Sequence, residues 1–298
     1  MIPVKLTSTI PPTETITMSI WITRTVLVFA TACAFPLLPQ LYAQDLFPDK
    51  ALEAAVRKEV FAKRYNTEPL TKDDVKNISQ VHSKDKAIKS LEGMQNCVSV
   101  QEIDFENNEI VDLKPLADLK LIQSINLAGN KIESIEPLAA LSRVQYLELS
   151  RNAVSDLFPL SNMSNMRSLY LSENKIEKID VLKALPKVWT LYLAGNPVKD
   201  FSAIGEMKWL SSLDLKNCGI EDLSFLKNLT ELNFLMLADN KIKDLGPLLE
   251  MAKGDKERRF SPFWRIYLAG NPLDEKAKGE QLEELKKLGA RIELEKAK

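Results

Sequence analysis

The chain has 298 residues, of which 45% are hydrophobic and 27% charged, a composition that supports a sizeable buried core. Its 40 basic and 41 acidic residues nearly balance, which argues against nucleic acid or an anionic membrane surface as the partner. One histidine and three cysteines leave little material for a zinc site or a histidine-based catalytic pair, so we expect no metal and no other cofactor.

The first 43 residues differ in kind from the rest of the chain. A largely apolar run over residues 26–38 follows Arg24, and small residues close the segment. This order predicts a secretory signal peptide over residues 1–43, with Met18 as a candidate true start. Lipid attachment at Cys33 is an alternative, although the residues before it match a bacterial lipobox only loosely. Both alternatives predict an exported protein, whether secreted, periplasmic or held at the envelope.

A helical cap and a degenerate repeat are expected over residues 44–97. Asp49 can accept hydrogen bonds at the start of a helix whose apolar residues fall on one face. Thr71 is the predicted N-cap of a second helix. His82 belongs to the degenerate repeat and is interpreted as a solvated residue, because no second ligand or nucleophile accompanies it.

Residues 98–273 carry a repeat of 22 residues. Its marker is an asparagine, replaced once by cysteine, at Asn108, Asn130, Asn152, Asn174, Asn196, Cys218 and Asn240, with Asn271 following after 31 residues. Apolar residues recur at fixed offsets around each marker, in the leucine-rich-repeat pattern L-x-x-L-x-L-x-x-N/C-x-L. The pattern predicts an α/β leucine-rich-repeat solenoid, with a parallel sheet on a concave face and short 3₁₀ or helical turns on the convex face.

Both cysteines of the region after residue 43 fall on buried positions of this pattern. Cys218 takes the asparagine position, and Cys97 aligns with a leucine position of the other repeats. They are about five coils apart, and strands stack at about 4.8 Å, so a disulfide between them is out of reach. We therefore expect two inert, buried thiols.

The last repeat carries nine extra residues near residues 252–262. Because this stretch is charged and contains glycine, we predict a mobile surface loop away from the sheet. A role of its basic residues in docking is left open. Residues 274–298 are predicted to be a C-terminal cap, with a helix over residues 280–288 that stops at Gly289 and a last strand around Ile292.

The outward strand positions form two columns that would face a partner. The central column is Asp104, Asn126, Glu148, Tyr170, Tyr192, Asp214, Met236 and Tyr267, and the neighbouring column is Glu102, Ser124, Tyr146, Ser168, Thr190, Ser212, Phe234 and Arg265. Exposed tyrosines on a rigid scaffold are typical of protein interfaces. Tyrosine also suits strands for purely structural reasons, and we weigh that alternative against binding.

Ten residues of these columns make up the predicted partner-binding set: Glu102, Asp104, Tyr146, Glu148, Tyr170, Tyr192, Asp214, Phe234, Arg265 and Tyr267. The acidic residues at the N-terminal end are interpreted as a solvated face, since no spacing resembles a calcium loop. Trp189 and Trp264 lie one step from the columns, and their role is open between binding and structural packing.

The sequence contains no phosphate-binding glycine loop, no zinc-protease motif and no nucleophile elbow. It therefore favours a non-catalytic scaffold that binds a protein partner. The alternatives are a carbohydrate or cell-wall binder, in which tyrosines stack on sugar rings, and a structural envelope protein.

The region after residue 43 resembles the bacterial exported leucine-rich-repeat proteins with 22-residue repeats, the internalin-like and SDS22-like group. The resemblance rests on the asparagine register, on the Pro-Leu pairs that begin at Pro115, Pro137, Pro159 and Pro247, and on the entry into the helical cap at Pro48. It implies protein binding through the concave face. The group's particular partners are not carried over to this chain.

Overall fold

The computed structural model describes residues 45–258 and 260–295, and every structural statement refers to these residues. The predicted signal peptide and the alternative lipid site at Cys33 lie outside them. Arg259 and residues 296–298 lie outside them too.

Each repeat contributes one strand of three residues. Since successive side chains of a strand point to opposite faces, the middle side chain points inward and the two flanking side chains point outward. The strands are β1 (Gln80–His82), β2 (Glu102–Asp104), β3 (Ser124–Asn126), β4 (Tyr146–Glu148), β5 (Ser168–Tyr170), β6 (Thr190–Tyr192), β7 (Ser212–Asp214), β8 (Phe234–Met236), β9 (Arg265–Tyr267) and β10 (Arg291–Glu293). Within the described residues they form one parallel sheet in chain order. The predicted solenoid is confirmed.

Short 3₁₀ turns form the wall opposite the sheet. They span Met94–Asn96, Lys114–Leu116, Glu136–Leu138, Phe158–Asn162, Asp180–Ala184, Ser202–Glu206, Ser224–Leu226 and Ser261–Phe263. Proline lies in the first positions of several of them, including Pro115 and Pro137. The fixed φ of proline suits a first turn, where its missing N–H has no helical partner to lose.

The marker asparagines tie each coil to the coil before it. Asn130 Nδ2 donates to the backbone oxygens of Phe105 (3.0 Å) and Leu127 (2.9 Å), and its Oδ1 accepts from the Ile110 N–H (3.0 Å). The other markers with this arrangement are Asn108, Asn152, Asn174, Asn196, Asn240 and Asn271. A buried amide needs such partners, since an unsatisfied one costs roughly 1–3 kcal/mol.

Cys218 supplies only part of this arrangement. Its Sγ donates to the Leu193 backbone oxygen (3.3 Å), but in the described part of the chain it has no hydrogen bond with the N–H of the buried residue Val198. Burial raises the pKa of the Cys218 thiol to about 11 and that of Cys97 to about 12. Both cysteines are free and buried, which confirms their predicted positions.

Replacing Cys218 by asparagine should stabilise the protein. The new Oδ1 would accept from the Val198 N–H, as Asn196 Oδ1 accepts from the Ile176 N–H (3.1 Å) one coil earlier. One restored buried hydrogen bond is worth about 1 kcal/mol in the free energy of unfolding, measured by urea denaturation. Cys97→Asn is the control and should destabilise, because Cys97 lies at an apolar position. A Cys218→Asn variant no more stable than the wild type would contradict the expectation.

Two helices cover the N-terminal end of the repeats. Helix α1 (Lys50–Glu59) begins after Asp49, whose Oδ1 accepts from the Ala51 N–H (3.0 Å). The other carboxylate oxygen of Asp49 accepts from the Lys89 N–H (2.8 Å), which joins the cap to the first coil. Helix α2 (Lys72–Val75) begins at Thr71 with a reciprocal capping box.

Part of the insertion is helical, which the prediction of a loop did not include, while its mobility stays a prediction. Helix α3 (Gly246–Gly254) replaces the usual 3₁₀ turn and takes in the first part of the insertion. Asp255 Oδ2 then accepts from the N–H groups of Phe260 (3.0 Å) and Ser261 (2.8 Å), and both residues are buried. The sequence did not predict the burial of Phe260 and Ser261, because the residues before them are mostly charged.

The helical part of the C-terminal cap begins at Ala277, before residue 280, where we predicted its start. A wider π turn, Ala277–Gln281, leads into helix α4 (Leu282–Lys287). Gly289 ends it with φ +111°, and a Cβ there would lie 2.8 Å from Pro262 Cα. The chain then enters β10. No helix among the described residues is long and apolar enough to cross a membrane.

Candidate functional site

The exposed face of the sheet carries the predicted binding residues, and we call it the outer face. The strand register places the ten predicted residues in the two expected columns, with Tyr170 beside Tyr192 and Phe234 beside Arg265. Strands β1 and β10 lengthen the columns, so that His82 is beside Asp104. The columns are confirmed as geometry, and the role of their residues stays a prediction.

Three tyrosines on consecutive strands touch each other, and we call them the tyrosine row: Tyr146, Tyr170 and Tyr192. The Tyr146 and Tyr170 ring centroids are 5.4 Å apart, and the Tyr170 and Tyr192 rings meet edge to face at 4.9 Å. Burial raises the pKa of Tyr146 to about 12 and that of Tyr170 above its usual value. The tyrosine row is therefore an uncharged, half-buried surface, and contacts between its own rings hold it in place.

Trp189 extends the tyrosine row towards Phe234. It is 49% exposed, and its Nε1 donates to Ser168 Oγ (3.1 Å). The Arg167 guanidinium lies 5.8 Å from its ring centre. Trp189, Tyr192 and Phe234 line an open recess of about 480 Å³. Trp189 is thus accessible enough to contact a ligand.

Trp264 is not part of the outer face. It is fully buried, and its ring meets the Phe260 ring edge to face at 5.2 Å. Its indole N–H has no hydrogen-bond partner within the described residues. The structural alternative therefore applies to this tryptophan.

Two carboxylates flank the tyrosine row in the central column. Glu148 accepts from the Ser150 N–H (2.7 Å) and Asp214 from the Lys216 N–H (2.9 Å). Neither has an ion-pair partner among the described residues, and burial raises the pKa of both side chains. Ionised carboxylates with raised pKa lower the stability of the folded protein above about pH 4, and the cost is absent below it. A cationic group of a partner would offset that cost.

The acidic N-terminal end of the face, which we interpreted as solvated, carries a network of surface ion pairs. Lys84 Nζ lies 2.9 Å from Asp104 and 3.0 Å from Glu106, and Arg151 contacts Glu106 at 3.3 Å. His82 and Glu102 are 3.1 Å apart. The signal that sequence reading missed is the spacing, because Lys84 lies one repeat before Glu106 and is therefore its neighbour.

Two other predicted residues, Phe234 and Tyr267, make no ring contact with the tyrosine row in the described part of the chain. The Arg265 guanidinium covers the Phe234 ring at 5.5 Å, and Tyr267 lies beside Met236. In the part of the chain that the structure describes, no group of histidine, cysteine or carboxylate side chains could hold a metal ion. The features of the outer face that could contact a ligand are its open recess, its aromatic rings and its charged side chains.

The family model for leucine-rich repeats (two copies) matches residues 142–187. Together with the sheet and the asparagine arrangement, this match shows that the chain has the leucine-rich-repeat fold. Proteins of this architecture generally use their extended sheet surface for binding. No curated protein matches the chain by sequence.

Solved structures show which leucine-rich-repeat proteins this chain is similar to. Internalin C2 from Listeria monocytogenes is 28% identical, with a TM-score of 0.68 over 75% of this chain and 95% of that one. Internalin F from the same organism is 25% identical, with a TM-score of 0.73 over 84% and 69%. A leucine-rich-repeat protein from Leptospira interrogans, 19% identical with a TM-score of 0.58 over 69% and 57%, shares the fold. The chain is thus similar to the Listeria internalins in fold and, at 25–28% identity, in sequence.

Proposed function

We propose that this protein is a non-catalytic scaffold that acts outside the cytoplasm and binds a partner protein on its outer face. The tyrosine row is the observation that carries the proposal. Its rings are held by mutual contacts, so little side-chain freedom is lost when a partner covers them. The apolar segment over residues 26–38 supports export.

The two flanking carboxylates indicate what the partner offers. Glu148 and Asp214 stand at the two ends of the Tyr170–Tyr192 pair, since the four residues occupy consecutive strands. A lysine or arginine of the partner could contact a tyrosine ring and a carboxylate together. We therefore propose a partner surface that combines apolar and basic side chains.

A glycan is the second candidate ligand. The recess beside the tyrosine row combines the exposed Trp189 ring and the half-buried Tyr192 ring with the hydroxyl groups of Thr190 and Ser212. Aromatic faces next to hydroxyl groups suit a sugar ring. Competition by soluble saccharides for partner binding would separate this candidate from a protein ligand.

Tyr170→Ala/Tyr192→Ala should abolish capture of the partner. We would immobilise the compact unit Gln44–Lys298 and expose it to envelope and extracellular fractions. Each interface tyrosine of this kind is worth about 2 kcal/mol, so each substitution should weaken the affinity roughly 30-fold. Surface plasmon resonance with the captured protein would measure the loss.

Tyr65→Ala is the matched control, because Tyr65 is 94% exposed on the N-terminal cap, away from the outer face. It should bind as the wild type does. Circular dichroism would establish that all variants are folded. A partner retained equally by the double variant would refute a role of the tyrosine row.

A further inference from the structure

The outer face ends in a second recess that the tyrosine row does not reach. It measures about 400 Å³, and its lining includes Phe234, Pro262, Phe263, Arg265 and Arg291. Phe234 is 40% exposed and Phe263 is 65% exposed, so apolar walls stand open to the solvent. The volume suits one or two side chains of a ligand.

Two arginines stand side by side in this recess. Arg265 of β9 is the register neighbour of Arg291 of β10, and neighbouring strands are about 4.8 Å apart. Both side chains are exposed, and no carboxylate of the described residues forms an ion pair with either. Like charges on directly neighbouring strand positions repel each other. An anion bound between them would remove that repulsion.

Contacts within the fold hold the Arg265 side chain and the turn that leads to Arg291. The Arg265 guanidinium lies 5.5 Å from the centre of the Phe234 ring, a cation–π contact that limits its freedom. Gly289 brings the turn before β10 against Pro262, at the close approach described above. Pro262, at the end of the insertion, and Phe263, which follows it, form one wall of the recess.

We propose that this recess binds a carboxylate side chain from an acidic segment of the partner, with an apolar neighbour of that side chain on the phenylalanine walls. Two guanidinium groups match the geometry of a carboxylate through paired N–H donors. The idea rests on the proposed function and adds a second contact of opposite charge. The outer face would then bind a partner that places a basic group near Glu148 and Asp214 and an acidic group near Arg265.

The test uses the wild-type protein and a synthetic peptide, acetyl-Glu-Glu-Leu-Glu-Glu-amide with a fluorescent label, in an anisotropy titration at low salt. Arg265→Gln/Arg291→Gln should weaken its binding about tenfold or more. Arg143→Gln/Lys178→Gln is the matched control, because it removes the same charge at exposed positions away from the recess. That control should bind as the wild type does. The peptide with glutamine in place of glutamate should not bind.

The outcomes separate the two proposals. Tyr170→Ala/Tyr192→Ala should still bind the acidic peptide, because none of the three tyrosines lines this recess. If Arg265→Gln/Arg291→Gln and Arg143→Gln/Lys178→Gln lose the same peptide affinity, the peptide is attracted by net charge alone. That result would overturn the proposal that it binds in the recess. Stronger binding of a heparin-derived hexasaccharide than of the peptide at Arg265 and Arg291 would overturn the acidic segment in favour of a sulfated glycan.

Discussion

Asn174→Ala should lower the free energy of unfolding by about 3 kcal/mol or more. The Asn174 amide donates to the backbone oxygens of Leu149 (2.9 Å) and Leu171 (3.0 Å), and its Oδ1 accepts from the Val154 N–H (2.9 Å). Alanine would leave these buried backbone groups without partners, at roughly 1–3 kcal/mol each. Urea denaturation followed by circular dichroism would measure the change.

Asn165→Ala is the control for this prediction. Asn165 is exposed, and its amide makes one backbone hydrogen bond, to the Ser142 oxygen (3.2 Å). Water can replace that bond, so the change should stay within about 0.5 kcal/mol. Similar losses in the two variants would mean that the marker asparagines do not hold the coils together.

Trp264→Ala should destabilise the protein by about 4 kcal/mol, because it removes a fully buried indole and leaves a cavity beside Phe260. Trp189→Ala should cost less than about 1 kcal/mol, since that indole is 49% exposed and loses only surface contacts. Thermal and urea denaturation of the two variants would measure the difference. A larger loss in Trp189→Ala would contradict the assignment of Trp264 to the core.

Trp264 also shows where the repeat pattern fails as a guide. In the regular coils an apolar residue such as Leu232 is buried and the next residue, Asn233, is more exposed. In the last coil the order is reversed, with Phe263 exposed and Trp264 buried. The 3₁₀ turn Ser261–Phe263 leads directly into β9 and shifts the register of the inward side chains. The 22-residue spacing could not reveal this shift, because the insertion interrupts it.

The same spacing explains which parts of the face could be predicted. Residues 22 positions apart become strand neighbours, so the order of Tyr170 and Tyr192 followed from the sequence. The pair Arg265 and Arg291 is separated by 26 residues and depends on how the C-terminal cap folds. Contacts between side chains, such as Lys84 with Asp104 and Glu106, also depend on rotamers that a repeat pattern does not specify.

The marker asparagines have a consequence for how the chain can change in length. Each of them binds the preceding coil, so the sheet side of a coil tolerates no added residue without breaking that bond. The opposite wall has no such constraint, and the insertion before β9 lies there, where α3 replaces a 3₁₀ turn. Whole coils can be added or removed as units, whereas partial insertions belong behind the sheet. Most of the insertion thus lies behind the sheet, and only its last residue, Pro262, reaches the proposed recess beside Arg265.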